Sequence, residues 1–421
     1  MNAIMNMNLG STKLGSRFRL VRGATLALAE PLSPEDYVVQ SMPDASPAKW
    51  HLAHTTWFFE EFVLQHAVPA YKFLDEQFRY LFNSYYNSIG PMHSRPHRGL
   101  LSRPTVEQVM AYRERIDERM QTLLQRQDLS PEVVSVITIG LNHEQQHQEL
   151  LLTDIKHLFS CNPLLPAYVR EKTAAARPAA ALEFRNFDGG LIDIGHSGDG
   201  FSFDNELPRH RTYTDAFRLA NRAVTNGEYL EFVRAGGYED PIHWLSDGWT
   251  TVQKEGWKRP IYWTPSLEEE FTLTGLRELN PASPVCHVSY YEADAFARWA
   301  GARLPSETEW ELAAKDVALR GNFVENRRWH PEAPAQDGQL LQMFGDVWEW
   351  TQSAYAPYPG FKAAEGALGE YNGKFMVNQL VLRGGSCATP ASHIRATYRN
   401  FFNPSARWQF MGLRLAKEAN V

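Results

Sequence analysis

Residues 131–159 read PEVVSVITIGLNHEQQHQELLLTDIKHLF, and the periodicity of this stretch decides how the first half of the chain folds. Ser130-Pro131 opens it, since serine can cap free N–H groups and proline fits the first helical turn. Val136, Gly140, His143, His147, Leu150 and Asp154 then share one helical face, the stripe that a bundle would bury. His143 and His147 are four residues apart, about 40° around the axis, so both imidazoles can reach one ion. A solvated polar patch is the alternative, and the place of both histidines on the buried stripe argues against it. A second segment, Trp50-His51-Leu52-Ala53-His54-Thr55-Thr56-Trp57, again sets histidine among core-type aromatics. Either His51 or His54 could complete a three-histidine site.

Outward from these segments, helical periodicity predicts helices over about 16–29, 47–66, 105–126 and 131–159, with Ser33-Pro34 and Ser46-Pro47 as further start signals. Four helices make a bundle over 16–162, preceded by a disordered stretch, 1–15. The connection 67–104 is rich in aromatics, Gly, Pro and His and is far longer than a bundle turn needs, which suits an active-site wall. Residues 163–182 are rich in Pro and Ala and read as a linker. From 183 to 418 the pattern changes to short strand-like runs such as GGLIDIG, VLRGGS and GLRLA, with helices near 225–235 and 289–315. The predicted fold class is therefore a helical bundle followed by a mixed α and β domain.

Composition narrows the function. Over 421 residues, 43% apolar, 12% aromatic and 22% charged is the make-up of a folded globular chain with more than one core. A net charge of −7 repels a phosphate backbone, so no nucleic acid is expected. No window approaches the ~20 apolar residues of a membrane span, and no membrane partner is expected. MNAIMNMNLGSTKLGSRF lacks the apolar core and cleavage site of a secretion signal. Cys161, Cys286 and Cys387 are too few and too far apart for a disulfide framework or a CxxC zinc site, which fits a reducing cytoplasm.

HEQQH is also formally H-E-x-x-H, the pattern in which a zinc peptidase takes two ligands and a general-base glutamate, here Glu144. The extended metzincin form needs Gly at 150 and His at 153, where this chain has Leu150 and Thr153. Three neutral histidines leave coordination positions open for small molecules, but such a set does not identify the metal.

HLAHTTWFFEEF, NSYYNSIGPMHSRPHRGLLSRPT and NHEQQHQELLLTDIKH together resemble the DinB-like helical domain of the ergothioneine-biosynthetic sulfoxide synthases, the EgtB family. FDGGLIDIG, NRAVTNGEYLEFVRAGGY, PVCHVSYYEADAFARWAGARLPSETEWELAAK, GDVWEWT, LRGGSCAT and FMGLRLA resemble the formylglycine-generating-enzyme, or sulfatase-modifying-factor, fold, which is related to C-type lectins. The resemblance runs from about residue 16 to 418. It implies an oxygen-dependent enzyme that joins hercynine (Nα-trimethylhistidine) to a cysteine-type thiol on non-haem iron, giving a sulfoxide. Iron(II), Fe(2+), would be held by His54, His143 and His147, the choice of His54 over His51 following the family's L-A-H segment. Gln146 matches a position that hydrogen-bonds the substrate imidazole. Formylglycine chemistry is not expected, since its cofactor needs a pair of cysteines and this tail has only Cys387.

The resemblance also gives roles to the tail segment Tyr398–Asn403, in which Asn400, Phe401 and Phe402 offer a polar group and π-faces to a trimethylammonium. Trp348 and Trp350 read as scaffold. A tyrosine is the family's usual proton donor, and Tyr85 and Tyr86 are the expected pair because the long loop carries them between the two ligand helices. In one branch of the family the tyrosine comes from the second domain, where Tyr371 is the nearest candidate. Arg98, Arg103 and Arg407 are expected to hold the sulfur donor's carboxylate. Where the branch that uses γ-glutamylcysteine carries an acidic residue, this chain has Phe402, so cysteine is the expected donor, with γ-glutamylcysteine as the alternative. The expected partners are thus hercynine, cysteine and O2.

Overall fold

The computed structural model describes residues 2–170, 178–334, 340–365 and 367–419, with the side chains of 2–12 and 367 set aside. The predicted linker, 163–182, lies partly outside the described residues. The chain forms two compact units, Met1–Asn162 with Glu365–Tyr371, and Pro163–Ala364 with Asn372–Val421.

The first unit is built on four long helices: α1 (Asn2–Ala29), α2 (Ala48–Phe59), α3 (Val106–Leu124) and α4 (Pro131–Ser160). Phe18, Val21, Phe59, Val63, Tyr112, Ile116, Met120, Ile137 and Leu141 make one core from all four. Helix α1 begins at Asn2, where helical periodicity alone starts it near residue 16. Residues 1–15 contain no proline, so no residue there lacks the N–H that a helix needs.

The caps follow local chemistry only in part. Ser130 accepts from Val133 N–H as expected, and Thr105 with Gln108 makes a capping box on α3. Ser46 does not cap α2: its N–H is drawn to Asp154 Oδ2 (2.8 Å) on α4. Ser33-Pro34 opens only a turn, closed by Asp36 on Ser33.

Past Phe59 the second helix widens into a π-turn, Glu60–Leu64. Its two carboxylates are buried and fasten the 67–104 connection. Glu60 accepts from Tyr71 Oη, Leu74 N and Tyr112 Oη, and Glu61 from Arg79. Gly140 lets α2 approach α4, since a Cβ there would stand 2.8 Å from both Phe58 and Phe59 ring carbons. Next to it lie His143 and His147.

The second unit has eleven short strands and four helices of eight residues or more among its described residues. The strands are β1 (Phe184–Phe187), β2 (Gly190–Ile194), β3 (His210–Thr214), β4 (Phe217–Ala220), β5 (Glu269–Thr272), β6 (Gly275–Glu278), β7 (Trp348–Ala354), β8 (Leu380–Arg383), β9 (Asn400–Phe402), β10 (Met411–Gly412) and β11 (Ala416–Glu418). They form a three-stranded sheet β1-β4-β11, a four-stranded sheet β10-β7-β8-β9, and the hairpins β2-β3 and β5-β6. The helices are α5 (Asn226–Arg234), α6 (Ser246–Glu255), α7 (Tyr290–Trp299) and α8 (Glu307–Ala314). The helix expected over 289–315 is thus two, because Gly301 takes φ +61° and Pro305 precedes the new cap, Ser306.

Trp348 and Trp350 are buried as scaffold, with Trp350 Nε1 donating to the Val288 carbonyl. Between them Glu349 accepts from Arg414 and Trp310 Nε1, a buried pair that pins β7 to the C-terminal segment.

Candidate metal centre

His54 is 0% exposed, held between the planes of Trp50 (4.5 Å, 13°) and Trp57 (5.5 Å, 18°) one turn to either side. Its Nδ1 stands 2.6 Å from the Phe82 carbonyl, which can only accept, so Nδ1 carries the proton and Nε2 keeps a lone pair for a metal ion. That Nε2 is 3.2 Å from His143 Nε2. His147 Nδ1 lies 2.8 Å from His51 Nδ1, and His51 Nε2 lies 3.0 Å from Asp154 Oδ2. The carboxylate fixes a proton on His51 Nε2, so His51 Nδ1 accepts from His147 Nδ1–H and His147 Nε2 is left bare. One nitrogen from each of His54, His143 and His147 lies within 4.8 Å of the others.

Burial keeps all three imidazoles neutral. It pushes His143 down to about 3, aided by His51 and opposed by Glu144. His54 and His147 are also driven well below the ordinary histidine value, first by burial and then by neighbouring imidazoles. Neutral, pre-turned imidazoles of this kind fit a divalent transition-metal ion and leave it positions for other ligands. His51 is placed behind His147, as an orienting group rather than in the set. The sequence pattern alone left His51 and His54 level; the signal for His51 was Asp154, which shares the stripe of His147.

Glu144 corrects the peptidase reading. It is fully buried, with Oε2 on Arg22 Nη1 (3.0 Å) and Oε1 on Arg113 Nη2 (2.5 Å) and Thr25 Oγ1 (2.7 Å). Burial would raise its pKa, but Arg113 and Arg22 overturn that and hold it at about 2. A carboxylate bound on both oxygens and this acidic cannot serve as a general base near neutrality.

The tyrosines gather in this unit. Tyr86 is 0% exposed against Phe62 (4.9 Å) and Trp57 (5.7 Å), with Asn83 tying its backbone. Tyr85 stacks on Tyr86 at 4.5 Å, their hydroxyls 3.4 Å apart, and burial raises both pKa values. The segment Glu365–Tyr371 adds a third. The Tyr371 ring is 5.6 Å from that of His143 and 6.3 Å from that of Tyr85, and its hydroxyl donates to Gln146 Oε1. Glu370 anchors it, accepting from the Asn87 and Ser88 N–H groups (2.9 Å each) and from Ser88 Oγ (2.6 Å). The sequence carried no local signal for this anchor.

The three arginines part company. Arg98 is buried, lies 3.4 Å over the Trp50 ring, and donates to Ser46 and Ser84 hydroxyls while its Nε has no partner. No carboxylate among the described residues forms an ion pair with it, and burial, then Arg95, push it down to about 8. Arg103 is exposed and donates to the Ser102 carbonyl. Arg407 departs from expectation: it is buried in the second unit and neutralised by Glu292 (2.8 Å), with its guanidinium over Trp257. In that unit Asn400, Phe401 and Phe402 form the half-buried edge strand β9, with Phe401 stacked on Tyr355 at 4.0 Å and Phe402 against Trp408 at 6.0 Å.

Comparison with known proteins agrees with this division. Residues 17–151 match the DinB superfamily and residues 177–419 match the sulfatase-modifying factor enzyme 1-like domain. A hercynine oxygenase of Mycolicibacterium thermoresistibile is 32% identical over 414 residues, 89% of this chain and 88% of its own. A hercynine oxygenase of Mycobacterium tuberculosis is 33% identical over 307 residues, 67% of this chain and 71% of its own. The ergothioneine biosynthesis protein 1 of Schizosaccharomyces pombe is 28% identical over 229 residues, 52% of this chain and 28% of its own. With both domains matched in order and relatives aligned along most of its length, the chain belongs to the hercynine oxygenase family of oxygen-dependent enzymes.

Proposed function

We propose that this protein joins the sulfur of cysteine to the imidazole of hercynine with O2, giving hercynylcysteine sulfoxide for ergothioneine biosynthesis, and that His54, His143 and His147 hold the iron(II) this requires. The observation that carries the reading is the convergence of three neutral imidazoles with a tyrosine hydroxyl seated on Gln146, one residue from a ligand. Iron(II) in that set would supply one-electron chemistry with O2 and coordination positions that the imidazoles leave open.

The chain's own groups would do the rest. Gln146 presents its amide to the substrate imidazole and keeps its orientation through Tyr371. Proton delivery falls to the tyrosine cluster, of which Tyr371 has the most direct link to the site and Tyr85 and Tyr86 are its neighbours; the raised pKa values of Tyr85 and Tyr86 keep those two hydroxyls protonated. Arg98, buried without an anion, is suited to a carboxylate, and a bidentate guanidinium pair is the efficient way to take one. Exposed Arg103 can give that carboxylate a second charge, whereas Arg407 is already neutralised by Glu292. Asn400, Phe401 and Phe402 are assigned to hercynine, whose fixed cation cannot donate hydrogen bonds and prefers π-faces. Phe402 cannot pair with a glutamyl amine, which favours cysteine over γ-glutamylcysteine.

The test is anaerobic loading with iron(II), then air, hercynine and equal concentrations of cysteine and γ-glutamylcysteine, with products read by mass. The cysteine sulfoxide should dominate. An excess of the γ-glutamyl product would overturn the donor assignment, and no sulfoxide from either donor would overturn the reaction.

A further inference from the structure

The second unit holds another group of metal-ligating side chains, drawn from segments remote in sequence. Glu270 lies in β5, Cys286 in the stretch that leads into α7, and His330 in the loop that follows Asn326. One donor atom from each lies within 4.8 Å of the other two. Glu270 and Cys286 are each 3% exposed, so a carboxylate and a thiol have both been taken out of water at one point. A buried carboxylate is costly unless a cation or hydrogen bonds replace its hydration. His330 Nε2 is 3.1 Å from Glu270 Oε1, while its Nδ1 is buried with no hydrogen-bond partner. The His330 side chain keeps 17% exposure, which gives an ion a way in from solvent.

The donor types narrow the occupant. Calcium and magnesium take oxygen ligands and would reject the thiol and the imidazole. A thiolate, an imidazole and a carboxylate together are the ligands of a borderline-soft divalent ion, and three of them leave the fourth position of a tetrahedral ion to water. We propose that Glu270, Cys286 and His330 form a second divalent-metal site, for an ion of the zinc class, that shares no ligand with the three-histidine centre. On binding, the Cys286 thiol loses its proton to solvent and the thiolate takes the metal. The ion would then tie β5 to the segments carrying Cys286 and His330, so its first effect is on the stability of the second unit.

Cobalt(II) tests this in the full-length protein, stripped with chelator and kept reduced with a phosphine in place of thiols. A thiolate-to-cobalt charge-transfer band can come only from a cysteine ligand, so the three-histidine centre is silent in it. The band should appear on titration, survive in His54→Ala and in Cys161→Ser, and vanish in Cys286→Ser. Zinc bound after dialysis should fall by about one equivalent in Cys286→Ser. If that variant folds poorly, His330→Gln keeps the thiol and should weaken cobalt binding at least about tenfold. No band at saturating cobalt, or a band that persists undiminished in Cys286→Ser, would overturn the site and show a plain hydrogen-bonded cluster.

Discussion

Replacing Glu144 by Gln separates two roles that a glutamate between metal-ligating histidines can have. In the structure Glu144 and Asp117 face two buried guanidiniums, Arg22 and Arg113, so the cluster is balanced in charge. Gln keeps the shape and removes one charge. One oxygen can still accept from Arg113 and Thr25, but the amide nitrogen then stands where Oε2 accepts from Arg22 Nη1 at 3.0 Å, donor against donor. Breaking a buried pair and leaving its partner behind costs about 3–5 kcal/mol. For a domain of this size that lowers the melting temperature by roughly 6–20 °C. Helical circular dichroism on heating measures it, and iron(II) titration at low temperature should show metal binding retained, because the three imidazoles do not depend on Glu144 for their bare nitrogens. Sulfoxide formation should persist wherever the variant is folded. A variant that melts within ~1 °C of the parent yet loses all turnover would refute this reasoning, since Glu144 would then be acting in the chemistry.

Three further outcomes follow from the same geometry. His51→Ala, which removes the group behind His147, should weaken iron binding about 10–100-fold, whereas His54→Ala should abolish it; the reverse order in an iron titration would overturn the ligand assignment. Glu370→Ala should lower sulfoxide formation at least about tenfold with iron affinity unchanged, because the anchor of Tyr371 is lost, and Tyr371→Phe should lower it about a hundredfold; full activity in both would return the donor role to Tyr85 or Tyr86. Asp346 is buried, and burial lifts its pKa from 3.8 to about 6 despite N–H groups from Glu332 and Asn322. A raised folded pKa means that its contribution to stability is complete below the unfolded value and is lost as pH rises through about 6. Denaturant titrations across that window should show a loss of up to about 3 kcal/mol that Asp346→Asn flattens; equal pH slopes in the two proteins would count against it.

The pair His143 and His147 was fully determined by the sequence, because four residues of α-helix always bring two side chains to one face. So was the Ser130 cap, which depends on a few neighbours along the chain; the stripe around the two histidines was legible only in part, since Gly140 and Asp154 are buried while Val136 and Leu150 stay half-exposed. Composition and the change from 3.6-residue to alternating pattern likewise separated a helical first half from a mixed second half. The place of His51 and His54 was different, since both lie on a helix buried on every side and local periodicity does not rank them; a motif likeness did, and only packing supplies the reason. A carbonyl from Phe82 orients His54, and a carboxylate from Asp154 claims His51. Glu144 shows the same limit from the other direction: HEQQH is one string whether its glutamate is a base or a counter-ion, and Arg22 and Arg113, from two other helices, make it the second. Tyr371 meets Gln146 across 225 residues of chain. Spacing along the sequence fixes what one helix presents, but which remote group meets it is decided by the packing that brings distant segments together.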